Sequence, residues 1–252
     1  MIVNMTTLQV VILAVLQGIT EFLPVSSSGH LVLVQELFGL KEAVYFDVLV
    51  HLGTLGAVVF FFRHRILQVI NRKIIFLIVV GSIPAGAAGI FLNNYLENIF
   101  GSLRLVGFLW AINGLLLLST RFLPKGKRKI SDLGAKDSFF VGLFQAFAIL
   151  PGISRSGSTM AASLKKGLNP EDALFFSFLL AVPAVMGASL LQLSSLLILS
   201  SAEIYKSIVG IFVAGVVGYV SLLVLRKILV KKKLWLFSFY CFALSIFALI
   251  VT

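Results

Sequence analysis

A carboxylate, three consecutive hydroxyls and an imidazole fall close together near the start of the chain, in QGITEFLPVSSSGH from Gln17 to His30. A second stretch, QAFAILPGISRSGS from Gln145 to Ser158, repeats the pattern 128 positions later and carries Arg155. Each runs an apolar helix into a proline, follows it with hydroxyl residues and glycine, and then starts another short apolar run. Ionisable groups in such surroundings are costly and mark a functional site by default.

Gln17 and Glu21 are four apart, so on a helix they share a face about 6 Å from one another. A carboxylate beside a carboxamide offers the oxygen ligands that Mg²⁺ or Ca²⁺ takes. With a single carboxylate, that site holds a metal well only when a phosphate supplies further oxygens. Among Ser26, Ser27 and Ser28 one is expected to cap the following helix. Three hydroxyls exceed the needs of a cap, and one is a candidate nucleophile with Glu21 or His30 as its base. A histidine in an apolar stretch is ordinarily structural; the position of His30 directly after the serines makes it a catalytic candidate here.

In PGISRSGST, from Pro151 to Thr159, Gly152 and Gly157 allow the backbone to bend and to approach a ligand. Ser154, Ser156, Ser158 and Thr159 supply hydroxyls, and the helix that begins there offers unpaired N–H groups to an anion. Arg155 adds a planar fork of donors suited to phosphate oxygens. The alternative, an arginine snorkelling to the interface as Lys165 and Lys166 are expected to do, does not account for the flanking glycines and hydroxyls. Two helix amino termini converging on one anion make a diphosphate-sized recognition site.

The elements that must position these residues are membrane helices. Hydrophobic residues make up 59% of the 252, charged residues 12%, and mean hydropathy is +1.06, against about 25% charged residues in soluble domains. The net charge of +11 is gathered in short clusters between apolar runs, which is the positive-inside pattern and excludes nucleic acid as the partner. Cys241 stands alone, excluding an internal disulfide and a multi-cysteine metal site. No lysine or arginine precedes Lys41, so the first segment lacks the charged region of a signal peptide and is expected to be retained.

Six runs, near 44–62, 74–92, 103–120, 171–190, 207–226 and 234–251, are long enough to cross a core about 30 Å thick. Basic residues place the loops after the first and third runs and before the sixth in the cytoplasm, while 93–102 and 192–206 are expected outside. The third run then ends inside and the fourth begins inside, so the apolar segment 138–166 between them cannot cross. It is expected to form a re-entrant hairpin, as is 8–40 on the opposite side. The predicted fold is an all-α integral membrane protein of six transmembrane helices plus two re-entrant helical hairpins in an inverted-topology repeat. Its halves are 1–120 and 137–252, joined by a basic linker at 121–136, and such repeats place a site where the two breaks meet. Asp47 and His51 are candidates for a second layer around the site. Asn113, Gln145 and Gln192 are expected to hydrogen-bond between helices, and the small residues of IPAGAAGIF to pack helices together.

These residues carry a resemblance. QGITE from Gln17 to Glu21, VSSSGH ending at His30, PGISRSGST from Pro151 to Thr159, and FSFLLAVPAVMGA ending at Ala188 are similar to the bacterial undecaprenyl-diphosphatase family, which is associated with bacitracin resistance. The resemblance spans essentially the whole chain. It implies hydrolysis of undecaprenyl diphosphate, recycling of the lipid carrier for peptidoglycan, a divalent cation, and a multi-pass protein of the bacterial inner membrane whose site opens to the periplasmic face. The substrate would be a polyprenyl diphosphate among membrane lipids, and a homodimer is compatible with it. Within the family a serine of the SSSGH stretch and the histidine ending it have each been proposed as nucleophile. With this, the residues read as Glu21, Ser27, His30 and Arg155 catalytic, the nucleophile being Ser27 or, in its place, His30 or Ser26; Gln17, Ser26, Ser28, Gly152, Ser154, Ser156, Gly157 and Thr159 substrate-binding; and Glu21 with Gln17 at the metal. The position filled by Gln17 is Glu in many members of the family, which shifts acid–base work and metal charge onto Glu21. Inverted repeats with broken helices are also transporter architecture, so a transporter or flippase for an anionic polyprenyl phosphate lipid is the second reading.

Overall fold

The computed structural model describes residues 5–40, 44–91, 102–191 and 200–251. Among them the chain forms ten α helices and no strand. In order these are α1 (Thr7–Thr20), α2 (Ser27–Leu37), α3 (Val44–Val69), α4 (Arg72–Phe91), α5 (Leu103–Ser119), α6 (Ala135–Phe147), α7 (Arg155–Lys165), α8 (Pro170–Leu191), α9 (Ser201–Val230) and α10 (Phe237–Val251). Six stretches are long and apolar enough to cross a membrane, one on each of α3, α4, α5, α8 and α9, and Leu234–Val251, which contains α10. The other four helices have 14, 11, 13 and 11 residues, and at about 1.5 Å per residue none reaches across a 30 Å core.

Local chemistry sets the ends of the short helices. Thr6 caps α1 in a reciprocal box with Gln9, Ser26 caps α2 through the Gly29 amide, and Ser154 caps α7 through the Gly157 amide. Pro24 and Pro151 lie in the non-helical breaks that separate α1 from α2 and α6 from α7, because proline removes a backbone donor and clashes with the preceding turn.

Packing crosses between the two halves of the sequence. Helix α1 lies against α9, α6 against α4, α3 against α9, and α5 against α10, while α7 is enclosed by α5, α6 and α8. The α6–α4 contact is backbone to backbone: a Cβ on Gly142 would sit 2.3 Å from the Gly81 carbonyl oxygen. Further along α4, in IPAGAAGIF, Pro84 is buried and a Cβ on Gly86 or Gly89 would have nothing within 4 Å among the described residues. A buried aromatic cluster of Phe22, Phe62, Phe175, Phe176 and Phe178 fills the centre, whereas Phe76, Phe91, Phe108, Phe212 and Phe239 point outward, as helices solvated by lipid require.

Two predicted spans lengthen, the first past its expected end and the fifth at both ends, to Ser201–Val230. The first span continues past residue 62 to Val69, because Arg63 lies over the Phe60 ring and Arg65 over the Phe175 ring with Arg65 ion-paired to buried Asp172. The fifth begins at Ser201 rather than 207, since Ser200 and Glu203 form a capping box that the basic residue Lys206 obscured in the sequence. The expectations for 93–101 and 192–199, including Gln192, lie outside the described residues. The basic linker is anchored: Arg128 exchanges backbone hydrogen bonds with the turn after α7, through Gly167 O and Asn169 N, and its guanidinium reaches Lys166 O, Asp132 O and Asp137.

Candidate functional site

The site is built where the two helix breaks touch. In the first, Ser26 takes a left-handed backbone conformation, φ 68°, rare outside glycine. Its hydroxyl accepts from the Gly29 amide at 3.3 Å and from the Gly152 amide of the second break at 3.0 Å. In the second break Gly152 has φ 104°, and a Cβ there would lie 2.7 Å from Val106 O, so only glycine fits. The two breaks are in van der Waals contact, a Cβ on Gly157 being 2.9 Å from that of Pro24.

Helix α5 fastens the breaks to one another. Buried Asn113 donates to Pro24 O at 3.0 Å and accepts from Ser154 N at 3.1 Å, satisfying one orphan group on each side. Trp110 Nε1 donates to Val25 O at 3.0 Å, and Ser156 Oγ donates to Phe22 O at 3.0 Å. Buried backbone groups freed by a broken helix must be paired, and these side chains do it.

Glu21 is the hub. Its Oε2 accepts from Ser27 Oγ at 2.6 Å and from Gln17 Nε2 at 3.0 Å, and lies 3.3 Å from His51 Nε2. Its Oε1 is ion-paired with Arg155 Nη2 across the two breaks. Glu21 is 7% exposed, so this pairing compensates a charge that burial alone would make very expensive. Two atoms beside it have no hydrogen-bond partner among the described residues: Gln17 Oε1, an acceptor, and Arg155 Nη1, a donor.

The structure thus brings Gln17, Glu21, Ser27 and Arg155 into one contact network and joins Ser26 to Gly152. Ser28 Oγ lies 3.2 Å from Ser26 Oγ. His30 is turned elsewhere: its Nδ1 faces Ser26 O at 2.7 Å and its Nε2 the Tyr240 hydroxyl at 2.9 Å, with the two rings stacked. Since a carbonyl only accepts, Nδ1 carries the hydrogen, which leaves Nε2 to accept from Tyr240. The hydroxyls of Ser154, Ser156 and Thr159 are spent inside the fold, on the Gly157 amide, Phe22 O and Arg155 O, with Thr159 also 2.5 Å from Ser177 Oγ. Gln145 makes no interhelical hydrogen bond among the described residues; both its amide atoms are buried and unpaired.

Among the described residues no cluster of three His, Cys, Asp or Glu side chains could hold a metal ion. Gln17 turns its amide nitrogen to Glu21 Oε2, while its Oε1 is buried without a partner among the described residues; this oxygen and the carboxylate are of the hard-donor kind that Mg²⁺ or Ca²⁺ takes together with phosphate oxygens. The residues that sequence reasoning underweighted are Asn113, Trp110, Tyr240 and His51. Asn113 and His51 were visible as polar groups in apolar runs; Tyr240 lies 210 positions from His30 and gives no local signal.

Chemically, the arrangement offers a hydroxyl hydrogen-bonded to a carboxylate, a guanidinium with a spare donor, and two serine-capped helix starts whose breaks are joined through Ser26 and Gly152. Comparison with known proteins agrees with phosphate chemistry. The family model described as "Bacitracin resistance protein BacA" matches residues 10–247. Among curated proteins, the chain is 41% identical to an undecaprenyl-diphosphatase of Carboxydothermus hydrogenoformans, over 98% of each chain. It is 38% identical to one of Desulforapulum autotrophicum, over 96% of this chain and 97% of that one, and 41% identical to one of Desulfosudis oleivorans with the same coverage.

Proposed function

The chain belongs to the bacitracin resistance protein BacA family, and from that premise we propose that it hydrolyses undecaprenyl diphosphate to undecaprenyl phosphate and inorganic phosphate. It is a membrane phosphatase that returns a lipid carrier to cell-wall synthesis and thereby supports bacitracin resistance. The observation that carries the reading is the joining of Glu21 and Ser27 from one helix break to Arg155 from the other.

The residues divide the work. Arg155, through Nη1 and the bond it now gives Glu21, holds the phosphate oxygens, helped by the amides at the starts of α2 and α7. Ser27 Oγ attacks the terminal phosphorus while Glu21 Oε2 takes its proton. The bond from that phosphorus to the bridging oxygen breaks, and undecaprenyl phosphate leaves with the bridging oxygen. Water then attacks the phosphoserine, giving inorganic phosphate and regenerating the Ser27 hydroxyl. A divalent cation held by Glu21, Gln17 and the substrate's oxygens would neutralise charge on the diphosphate, the main need of phosphoryl transfer. Ser26, Ser28, Ser154, Ser156, Gly152, Gly157 and Thr159 shape the cradle, and His30, held by Tyr240, braces the start of α2.

We place α1–α2 and α6–α7 as two re-entrant hairpins of an inverted-topology repeat in the cytoplasmic membrane, with the site open to the outer face. The reciprocal packing of α1 on α9 and α6 on α4 supports this, as does the repeated Pro-break sequence. A lipid transporter would share this architecture, and one assay separates the two. Purified protein in detergent, given a polyprenyl diphosphate and Mg²⁺ or Ca²⁺, is expected to release phosphate with no membrane gradient, and Ser27→Ala to abolish release. No release by the native chain would refute the phosphatase reading.

A further inference from the structure

We infer that His51 is the positioning residue for Glu21, holding the carboxylate where the Ser27 hydroxyl can reach it. The inference rests on the phosphatase reading above. Two histidines lie near the site, and the geometry distinguishes them. His30 spends both ring nitrogens on Ser26 O and the Tyr240 hydroxyl and makes no hydrogen bond to Glu21. His51 projects from the first half of α3 with Nδ1 2.6 Å from Asp47 O, one helical turn earlier, and Nε2 3.3 Å from Glu21 Oε2.

The Asp47 carbonyl is an acceptor only, so it fixes the ring's orientation and aims Nε2 at the carboxylate. That oxygen, Oε2, is the one that accepts the Ser27 hydroxyl. Each of the three other contacts to Glu21 comes from a hairpin: Gln17 and Ser27 from the first, Arg155 from the second. His51 alone among them sits on a membrane-length helix, so it ties the hub to the rigid frame. The anchor is itself braced, since Gln35 Nε2 near the end of α2 donates to Asp47 Oδ1 at 2.7 Å. When a phosphate draws Arg155 away from Glu21, His51 remains to keep the carboxylate beside Ser27.

Removing the outer hydrogen-bond partner that orients a metal-ligating group typically costs about 10- to 100-fold in metal affinity or activity, and the same scale is taken for a partner that orients the Glu21 carboxylate. Accordingly His51→Leu is expected to lower kcat about 10- to 100-fold while KM for the polyprenyl diphosphate and the thermal midpoint in detergent stay near those of the native chain. His51→Gln and His51→Asn decide between positioning and mere structure. The Gln amide nitrogen takes the place of Nε2 and reaches Glu21, so it should restore most of kcat. The Asn amide nitrogen takes the place of Nδ1, keeps the Asp47 contact alone, and should not. This contrast stands even if His51→Leu fails to fold. Native turnover with an unimpaired kcat in His51→Asn, or rescue by Asn rather than Gln, overturns the His51 assignment only. Absence of phosphate release by the native chain overturns the phosphatase reading and this assignment with it.

Discussion

At the scale of single residues, the site we propose turns on one shared, buried carboxylate. Glu21 meets a nucleophile candidate, a guanidinium and an imidazole at once, so its charge is compensated before substrate arrives and can be redistributed when it does. Arg155 offers shape as well as charge to the phosphate we propose it binds: one nitrogen is on Glu21 and another has no hydrogen-bond partner among the described residues. Arg155→Lys keeps the charge but not the fork. It is expected to lower phosphate release by about 100-fold or more, the scale of losing an oriented transition-state donor, and steady-state assay of the purified variant checks this. That Glu21, Ser27 and Arg155 would come together was legible from sequence, because each is a polar group within an apolar run next to a proline break, and the structure joins them in one contact network. The partition between His30 and His51 was not legible, since it depends on Tyr240 and on the register of α3 against the hairpin, neither of which leaves a local trace.

At the scale of elements, the two breaks are held by α5 as well as by their direct bonds to one another. Asn113 pairs the Pro24 carbonyl on one side and the Ser154 amide on the other, a more specific duty than the average interhelical hydrogen bond expected of it. Asn113→Leu takes from the Ser154 amide its partner and leaves the Pro24 carbonyl only the weak Cys241 Sγ donor at 3.8 Å, and a buried backbone group left unpaired costs about 1–3 kcal/mol. A thermal melt in detergent should therefore show a clear loss of stability, and phosphate release should fall with it; an unchanged melt would show that α5 does not fasten the breaks. Sequence reasoning found the helices and the breaks, because apolar length and proline are local signals. It missed the continuation of α3 through Arg63 and Arg65, because the partners that make those charges tolerable, Phe60, Phe175 and Asp172, are in part more than a hundred residues away. Of the IPAGAAGIF stretch, which was expected to pack helices, Pro84 is buried while Gly86 and Gly89 meet nothing within 4 Å among the described residues, and the close backbone approach is made one turn earlier by Gly81.

At the scale of the whole molecule, the halves are interleaved rather than side by side: each half's first helix packs on the other half's second membrane-length helix. A site formed where they meet needs both halves, and neither the Glu21 stretch nor the Arg155 stretch is a phosphate site alone. That is the central claim, and a double-mutant cycle on phosphate release from a polyprenyl diphosphate tests it most directly. Glu21→Gln, Arg155→Lys and the double variant would be compared with the native chain. Residues that act as one unit are strongly non-additive, so the double variant should be little worse than either single variant. Losses that simply multiply would contradict a shared site.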